Sequence, residues 1–143
     1  MNETHSDAFV FFGATGDLAF KKIFPSLQAM AGRGHLNVPV IGIGRSAPDL
    51  AALKDRARES LEKRGSVDPA AFEKLMSLLR YVRGDNADPA TYAALRKELN
   101  GAQRPAFYLA IPPTMFGTVV EQLGKAGCAG AGARVIVEKA VRH

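Results

Sequence analysis

The chain has 143 residues, 47% of them hydrophobic and 23% charged, a composition typical of one soluble globular domain. The formal net charge is +5, but the lysines and arginines are scattered among acidic residues without a basic run, so we expect no nucleic-acid partner. No segment has the roughly 18 consecutive apolar residues of a membrane span, so we expect no membrane partner either.

The chain contains one cysteine, Cys128, which excludes an internal disulfide and favours a reducing, cytoplasmic location. It lies in a Gly-Cys-Ala-Gly stretch without an obvious activating base, so we predict an unreactive loop thiol rather than a nucleophile. We predict no metal site. Residues 1–7 are polar and lack the basic and apolar parts of a secretion signal, so we interpret them as a short frayed leader.

The first apolar run, residues 8–12, has no polar alternation, which is typical of a parallel strand buried on both faces. A helix is predicted from Asp17 to about Ala31, and Pro25 inside it should kink or split it. The glycine-containing stretch 32–34 ends this helix.

The rest of the chain continues to alternate between strands and helices, with one extra helix. We predict strands over 38–44, 81–83, 106–111 and 134–138, and helices over 49–64, 68–79, 88–99 and 114–126. Asp68-Pro69 and Asp88-Pro89 each have the pattern of an N-cap followed by a proline in the first turn. The order predicts an α/β, doubly wound, mainly parallel sheet of the Rossmann-like type, forming one domain over 1–143.

The turn between the first strand and the first helix, residues 13–19, reads Gly-Ala-Thr-Gly-Asp-Leu-Ala. Gly13 allows a sharp turn, Gly16 leaves room for a pyrophosphate, and Ala19 allows close packing of helix on strand. The helix N-terminus adds unpaired N–H groups and a positive dipole end. An ordinary strand–helix turn is the alternative, but the placement favours a dinucleotide site, with further contacts at Thr15, Asp17 and Leu18.

The end of the second strand distinguishes between nicotinamide cofactors. NAD-binding domains usually carry an acidic residue there, about 20 residues after the glycines, which binds the ribose 2′-hydroxyl. This chain has Gly44-Arg45-Ser46 instead. A guanidinium can pair with a 2′-phosphate, so Arg45 and Ser46 favour NADP, although a surface arginine remains the alternative.

Several motifs together resemble the glucose-6-phosphate dehydrogenase family. Residues 11–25 resemble its G-A-S/T-G-D-L-A-x-x-K-x-x-P signature, residues 107–113 its F-Y-L-A-x-P-P strand end, and residues 134–139 its R-x-I-x-E-K segment. Gly44-Arg45-Ser46 resembles the family's site for the coenzyme 2′-phosphate. The match spans nearly the whole chain.

The resemblance implies oxidation of C1 of glucose 6-phosphate, with hydride passing to NADP and a lactone as product. It implies that Lys22 and Lys139 reach the substrate pocket and that Lys139 also contacts the cofactor. It places the turn that ends the fourth strand near the nicotinamide, with contacts from Ala110, Ile111, Pro112 and Pro113. A cis peptide bond is plausible at the two prolines.

The sequence departs from the family after Lys139. The family continues E-K-P-F-G and later carries an R-I-D-H-Y segment whose histidine is the base, whereas this sequence ends Ala-Val-Arg-His and contains no such segment. None of the three histidines, His5, His35 and His143, resembles that base. We therefore expect no catalytic residue, no C-terminal substrate domain, weak or no binding of glucose 6-phosphate, and no activity.

Residues 140–143 also suggest a hypothesis about the gene. One extra base before codons for the family's Pro-Phe-Gly-Thr can yield these four residues, as a frame shift would. A genuine short protein is the alternative, and it could serve as a stand-alone regulatory module that binds NADP or could bind nothing. A short-chain dehydrogenase is disfavoured, because no tyrosine has a lysine four residues later.

Overall fold

The computed structural model describes residues 6–64 and 66–137. A parallel sheet of five strands has the order β3-β2-β1-β4-β5. Its strands are β1 (Ala8–Phe12), β2 (Val40–Gly44), β3 (Leu79–Arg83), β4 (Pro105–Leu109) and β5 (Arg134–Val137). The order reverses between β1 and β4, and at such a point the loops leaving the two strands diverge to opposite faces and open a crevice.

Helices connect successive strands, with two between β2 and β3. The helices are α1 (Phe24–Gly32), α2 (Leu50–Lys63), α3 (Pro69–Leu78), α4 (Pro89–Leu99) and α5 (Phe116–Lys125). The side chains of Asp49, Asp68 and Asp88 cap α2, α3 and α4 by accepting hydrogen bonds from first-turn N–H groups. The α/β, doubly wound, parallel fold predicted from the sequence is confirmed.

Two apolar clusters cover the two faces of the sheet. On one face Val10 and Phe12 of β1 belong to the cluster with residues of α4 and α5. On the other face Phe11 packs in the cluster with residues of α1, α2 and α3. This alternation explains why β1 is apolar at every position, because each of its faces lies against helices.

The first helix differs in detail from the prediction. Helical backbone runs over 17–32, but Ala19–Ile23 is a π-helix, in which the Phe24 N–H bonds to the Ala19 carbonyl. The wider turn ends immediately before α1, in which Pro25 lies in the first turn. Pro25 has no N–H and cannot continue an α-helical hydrogen-bond ladder, and the observed split therefore agrees with the expectation drawn from it.

Other boundaries move by a few residues. β2 begins at Val40 rather than 38, β3 begins at Leu79 rather than 81, and β4 covers Pro105–Leu109 rather than 106–111. The predicted helix over 114–126 begins as a 3-10 turn, Pro113–Met115, and becomes α-helical at Phe116. No cis peptide bond occurs in the described chain, so the bonds at both prolines are trans.

The segment before β1 is held by Asp7. Its carboxylate accepts hydrogen bonds from the backbone N–H groups of Gln103 and Arg104, both at 2.8 Å. Partial burial raises the pKa of Asp7, but the backbone hydrogen bonds to its carboxylate outweigh that effect, and the net pKa is lowered.

No helix in the described ranges is long and apolar enough to cross a membrane.

Candidate functional site

A cleft of about 750 Å³ opens at the carboxyl ends of β1, β2, β3 and β4. This is the edge where ligands bind in open parallel sheets, beside the point at which strand order reverses. The cleft brings together eight of the residues that the sequence singled out: Gly13, Thr15, Gly16, Arg45, Ser46, Ala110, Ile111 and Pro112.

Gly13 is fixed by its backbone conformation and by its neighbours. Its φ is +82°, in the left-handed region, and a Cβ at this position would overlap the Ala110 carbonyl oxygen. The N–H groups of Gly13 and Ala14 both donate to the Ile43 carbonyl, at 3.0 and 2.9 Å. The glycine turn is therefore attached to β2 on one side and pressed against the end of β4 on the other.

Gly16 differs from Gly13, because the surrounding protein leaves space beside it. A Cβ on Gly16 would meet only the Gly13 carbonyl oxygen, at 3.3 Å, and Gly16 has no positive φ. Its missing side chain leaves open the wall of the cleft next to the first-turn N–H groups of the helix. This arrangement suits an anionic group such as a pyrophosphate, which must approach the backbone closely.

Gly44 brings the glycine turn close to the end of β2. A Cβ on Gly44 would lie 2.9 Å from Thr15 Oγ1, closer than ordinary contact. Thr15 therefore packs directly against the last residue of β2, one position before Arg45. The pyrophosphate and 2′-phosphate positions expected from the sequence are neighbours in one cleft.

Two arginines and one acidic residue form the wall at the ends of β2 and β3. Arg45 Nη1 lies 3.1 Å from Asp85 Oδ2, and Arg83 Nε donates to the Arg45 carbonyl at 3.2 Å. The side chains of Arg45 and Asp85 are 72% and 48% exposed, so solvent weakens their ion pair and Arg45 is accessible to a ligand anion.

The loop that follows β3 is tied to α4. The Thr91 hydroxyl donates to the Asp85 carbonyl at 2.8 Å, and the Tyr92 hydroxyl donates to the Asn86 carbonyl at 2.7 Å. Burial raises the pKa of Tyr92 to about 12, and the nearby Asp85 carboxylate adds to the shift. Tyr92 therefore stays protonated as a donor, and it holds Asn86 on the cleft wall.

Four predicted site residues lie outside the cleft lining. Asp17 is exposed and pairs with Lys21 at 3.1 Å, whereas Leu18 packs against the apolar cluster on the α1 face. Lys22 is exposed in the π-helical segment, and Pro113 begins the 3-10 turn after β4. The predicted position Lys139 lies outside the described residues.

The cleft also contains residues that the sequence did not single out. Arg83 ends β3, and Gly84, Asp85 and Asn86 follow it on the cleft wall. Parallel strands end at one edge of the sheet, so the predicted strand over 81–83 carried a signal for these positions. Ile43, near the end of β2, completes the set, and Gly44 of the predicted Gly44-Arg45-Ser46 motif lies next to it on the cleft wall.

The described residues offer little for nucleophilic or metal chemistry. Cys128 is 4% exposed, and burial raises the pKa of its thiol, which donates to the Tyr92 carbonyl at 3.7 Å. Among residues 6–64 and 66–137, no three His, Cys, Asp or Glu side chains are grouped to hold a metal ion. Asp85 is the one titratable acid or base that lines the cleft in this part of the chain, besides the two arginines.

A parallel doubly wound sheet, a glycine turn at the N-terminus of the first helix and a cleft at the reversal of strand order define a dinucleotide-binding domain. A profile of the family described as "Glucose-6-phosphate dehydrogenase, NAD binding domain" matches residues 10–143. The chain belongs to the glucose-6-phosphate dehydrogenase family, and the resemblance seen in its sequence is confirmed.

Individual relatives agree with this assignment. Glucose-6-phosphate 1-dehydrogenase 1 of Mycobacterium tuberculosis is 36% identical over 138 residues, which cover 96% of this chain and 29% of that protein. The X-ray structure of glucose-6-phosphate 1-dehydrogenase from Mycobacterium avium is similar with a TM-score of 0.88 and 40% identity, covering 95% of this chain and 30% of that one.

A third comparison adds a relative with bound substrate. A structure of glucose-6-phosphate dehydrogenase in complex with its substrate glucose 6-phosphate is similar with a TM-score of 0.79 and 27% identity, covering 96% of this chain and 31% of that one. The chain thus spans about 30% of the length of these relatives.

Proposed function

We propose that the cleft binds NADP in preference to NAD, as the coenzyme-binding part of a glucose-6-phosphate dehydrogenase. The observation that carries this proposal is the position of Arg45, which lines the cleft beside Ser46 and Arg83 at the ends of β2 and β3. A guanidinium there can form charge-assisted hydrogen bonds with a 2′-phosphate, which the 2′-hydroxyl of NAD cannot match.

The rest of the cleft fits the other parts of the same dinucleotide. The open backbone at Gly16 suits the pyrophosphate, with Gly13 and Thr15 shaping the turn beside it. The segment after β4, Ala110 to Pro112, presents backbone and apolar groups, which suit an uncharged face of the nicotinamide. When bound, the nicotinamide would accept hydride from C1 of glucose 6-phosphate.

The proposal gives the remaining predicted residues supporting roles. The Asp17 and Leu18 N–H groups belong to the first turn, so they can face the pyrophosphate although their side chains point elsewhere. By resemblance, Lys22 and Lys139 attract the sugar phosphate, and Pro113 supports the turn near the nicotinamide. We also propose a cytoplasmic location, in keeping with a single, reduced cysteine.

We further propose that a polypeptide of these 143 residues binds NADP without oxidising glucose 6-phosphate. Hydride can leave C1 only as the hydroxyl proton is removed, and that step needs a positioned base. The one carboxylate lining the described cleft, Asp85, lies 3.1 Å from Arg45 at the 2′-phosphate end. Contact with glucose 6-phosphate is expected to be weak or undetectable.

Calorimetric titration of the chain with NADP and with NAD tests the binding proposal. We expect NADP to bind about 5- to 30-fold more tightly, because the arginine–phosphate interaction, less the exposed Arg45–Asp85 pair that it replaces, contributes about 1–2 kcal/mol. Equal affinities would contradict the role of Arg45, and no binding of either nucleotide would contradict the proposed function itself.

A turnover assay tests the second part. The chain is mixed with glucose 6-phosphate and NADP, and NADPH is followed by its absorbance, with Lys22→Ala as the matched variant. We expect no sustained substrate-dependent signal from either protein. Sustained turnover that survives Lys22→Ala would show that another group of the chain acts as the base.

A further inference from the structure

Helix α2 reaches back to the start of the first helix through two side chains on one face. Arg56 Nη2 donates to the Gly16 carbonyl at 2.9 Å, and the Ser60 hydroxyl donates to the Phe20 carbonyl at 2.5 Å. These residues are four positions apart, so they lie on the same side of α2. Both bonds end on the segment that begins with the glycine turn.

Arg56 is more constrained than an ordinary surface arginine. Its guanidinium carbon lies 4.9 Å from the centre of the Phe20 ring, and its Nε is buried without a hydrogen-bond partner. The Phe20 ring supports the Arg56 cation from one side. A guanidinium held between an aromatic ring and one backbone carbonyl has little freedom to move.

The bond to Gly16 fixes the orientation of one peptide group. In a trans peptide the C=O and the N–H point in opposite directions, so the Gly16 carbonyl and the Asp17 N–H turn together. The Gly16 carbonyl accepts from Arg56 and from the Phe20 N–H, at 2.9 and 3.2 Å. With that carbonyl held towards α2 and the helix, the Asp17 N–H is directed away from both, to the N-terminal end of the helix, where Gly16 lines the cleft.

We propose that Arg56 is a positioning residue of the nucleotide site, which holds the Asp17 N–H in place for the pyrophosphate. The inference rests on the proposed function, because it concerns the same cleft. NADP and NAD share their pyrophosphate, so a loss at Arg56 weakens both nucleotides by one factor. This effect distinguishes Arg56 from Arg45, whose loss is expected to weaken NADP alone.

Arg58 provides a matched control on the same helix. Its guanidinium carbon lies 4.6 Å from the centre of the Phe72 ring, so it makes a similar contact with an aromatic residue. Arg58 has no contact with the glycine turn and instead faces Glu62 at 3.9 Å. Arg58→Met therefore removes an arginine–aromatic contact from α2 without changing the support of Gly16.

The test compares Arg56→Met, Arg56→Lys and Arg58→Met by calorimetric titration with NADP and with NAD. We expect Arg56→Met to weaken both nucleotides equally, by about tenfold, and Arg58→Met to leave both unchanged. Arg56→Lys keeps a cation that can donate to Gly16, so it should recover part of the affinity. Unchanged binding in Arg56→Met, or a loss confined to NADP, would overturn the inference.

A second measurement separates this inference from the proposed function and from simple misfolding. Amide NMR spectra of the nucleotide-free variants report on the glycine turn directly. We expect Arg56→Met to shift the Gly16, Asp17 and Phe20 amide signals while the rest of the spectrum keeps its folded dispersion, and Arg58→Met to leave them in place. If these signals shift in Arg56→Met but the unaltered chain binds neither nucleotide, the proposed cofactor is refuted, whereas the positioning of the glycine turn by Arg56 is supported. Unshifted signals would refute the positioning.

Discussion

Arg45→Ala is the substitution that most directly tests how the cleft selects its cofactor. In the proposed complex, the Arg45 guanidinium gives up its 3.1 Å contact with Asp85 and pairs with the 2′-phosphate. A charge-assisted pair with phosphate contributes about 1.5–3 kcal/mol, and an exposed ion pair such as Arg45–Asp85 contributes less than about 1 kcal/mol. The net gain from Arg45 is therefore about 1–2 kcal/mol.

That gain corresponds to an affinity for NADP that falls about 5- to 30-fold in Arg45→Ala. The affinity for NAD should change less than about twofold, because NAD has no group for the guanidinium to bind. Calorimetric titrations at one fixed ionic strength measure both values, since salt screens exposed charges. Equal losses for the two nucleotides would refute the assigned role of Arg45.

Asp85→Asn provides the opposite perturbation at the same ion pair. It removes the charge that competes with the 2′-phosphate for Arg45. It also keeps a side-chain oxygen that can accept a hydrogen bond from the Ala87 N–H, which in the unaltered chain donates to Asp85 Oδ1 at 2.7 Å. NADP should bind about two- to fivefold more tightly, which corresponds to roughly 0.5–1 kcal/mol. Weaker binding of NADP in Asp85→Asn would indicate that this carboxylate supports the site rather than competes with the ligand.

Three further predictions concern folding and binding together. Gly13→Ala should cost about 3 kcal/mol or more and lower Tm by about 10 °C, because a Cβ there overlaps the Ala110 carbonyl at a positive φ. Gly16→Ala should keep its Tm within a few degrees yet lose about tenfold in affinity for both nucleotides, and a loss of fold would contradict this. The pKa of Asp7 is lower in the folded chain than its value of 3.8 in the unfolded chain. Its carboxylate therefore stabilises the fold at pH values above 3.8, and this stabilisation is lost as the pH falls through the lower pKa of the folded state. Asp7→Asn should therefore unfold more easily than the unaltered chain at pH 7 in a urea titration, and the difference should fade below pH 3.8.

Local sequence patterns were sufficient for much of the fold. The N-caps at Asp68 and Asp88 mark the starts of α3 and α4, because a carboxylate and a following proline act within one turn of helix. The position of the glycine turn was also readable, since the glycines that allow the bend are close together in the chain, although contacts with Ile43 and Ala110 hold the turn in place. Both features confirm that short-range chemistry fixes where elements begin.

Other parts of the site depend on contacts between distant segments. Arg83 and Asp85 reach the cleft because β3 pairs with β2, and neither residue belongs to a motif along the chain. Arg56 and Arg58 are similar charged residues of one amphipathic helix, and only tertiary packing shows that Arg56 alone touches Gly16. Pro25 predicted an interruption of the first helix, but the choice of a π turn depends on how that helix packs.

The π-helical segment Ala19–Ile23 contains Lys22, and the direction of the Lys22 side chain depends on how many residues this part of the helix has. An α-helix rotates by about 100° for each residue, so deleting one residue between Lys22 and Pro25 would turn that lysine by about a quarter of the circumference. The shortened segment could form a regular α-helix except at Pro25, which has no N–H, yet Lys22 would leave it in a different direction. A deletion of one residue would therefore redirect the Lys22 side chain even though Lys22 itself is unchanged.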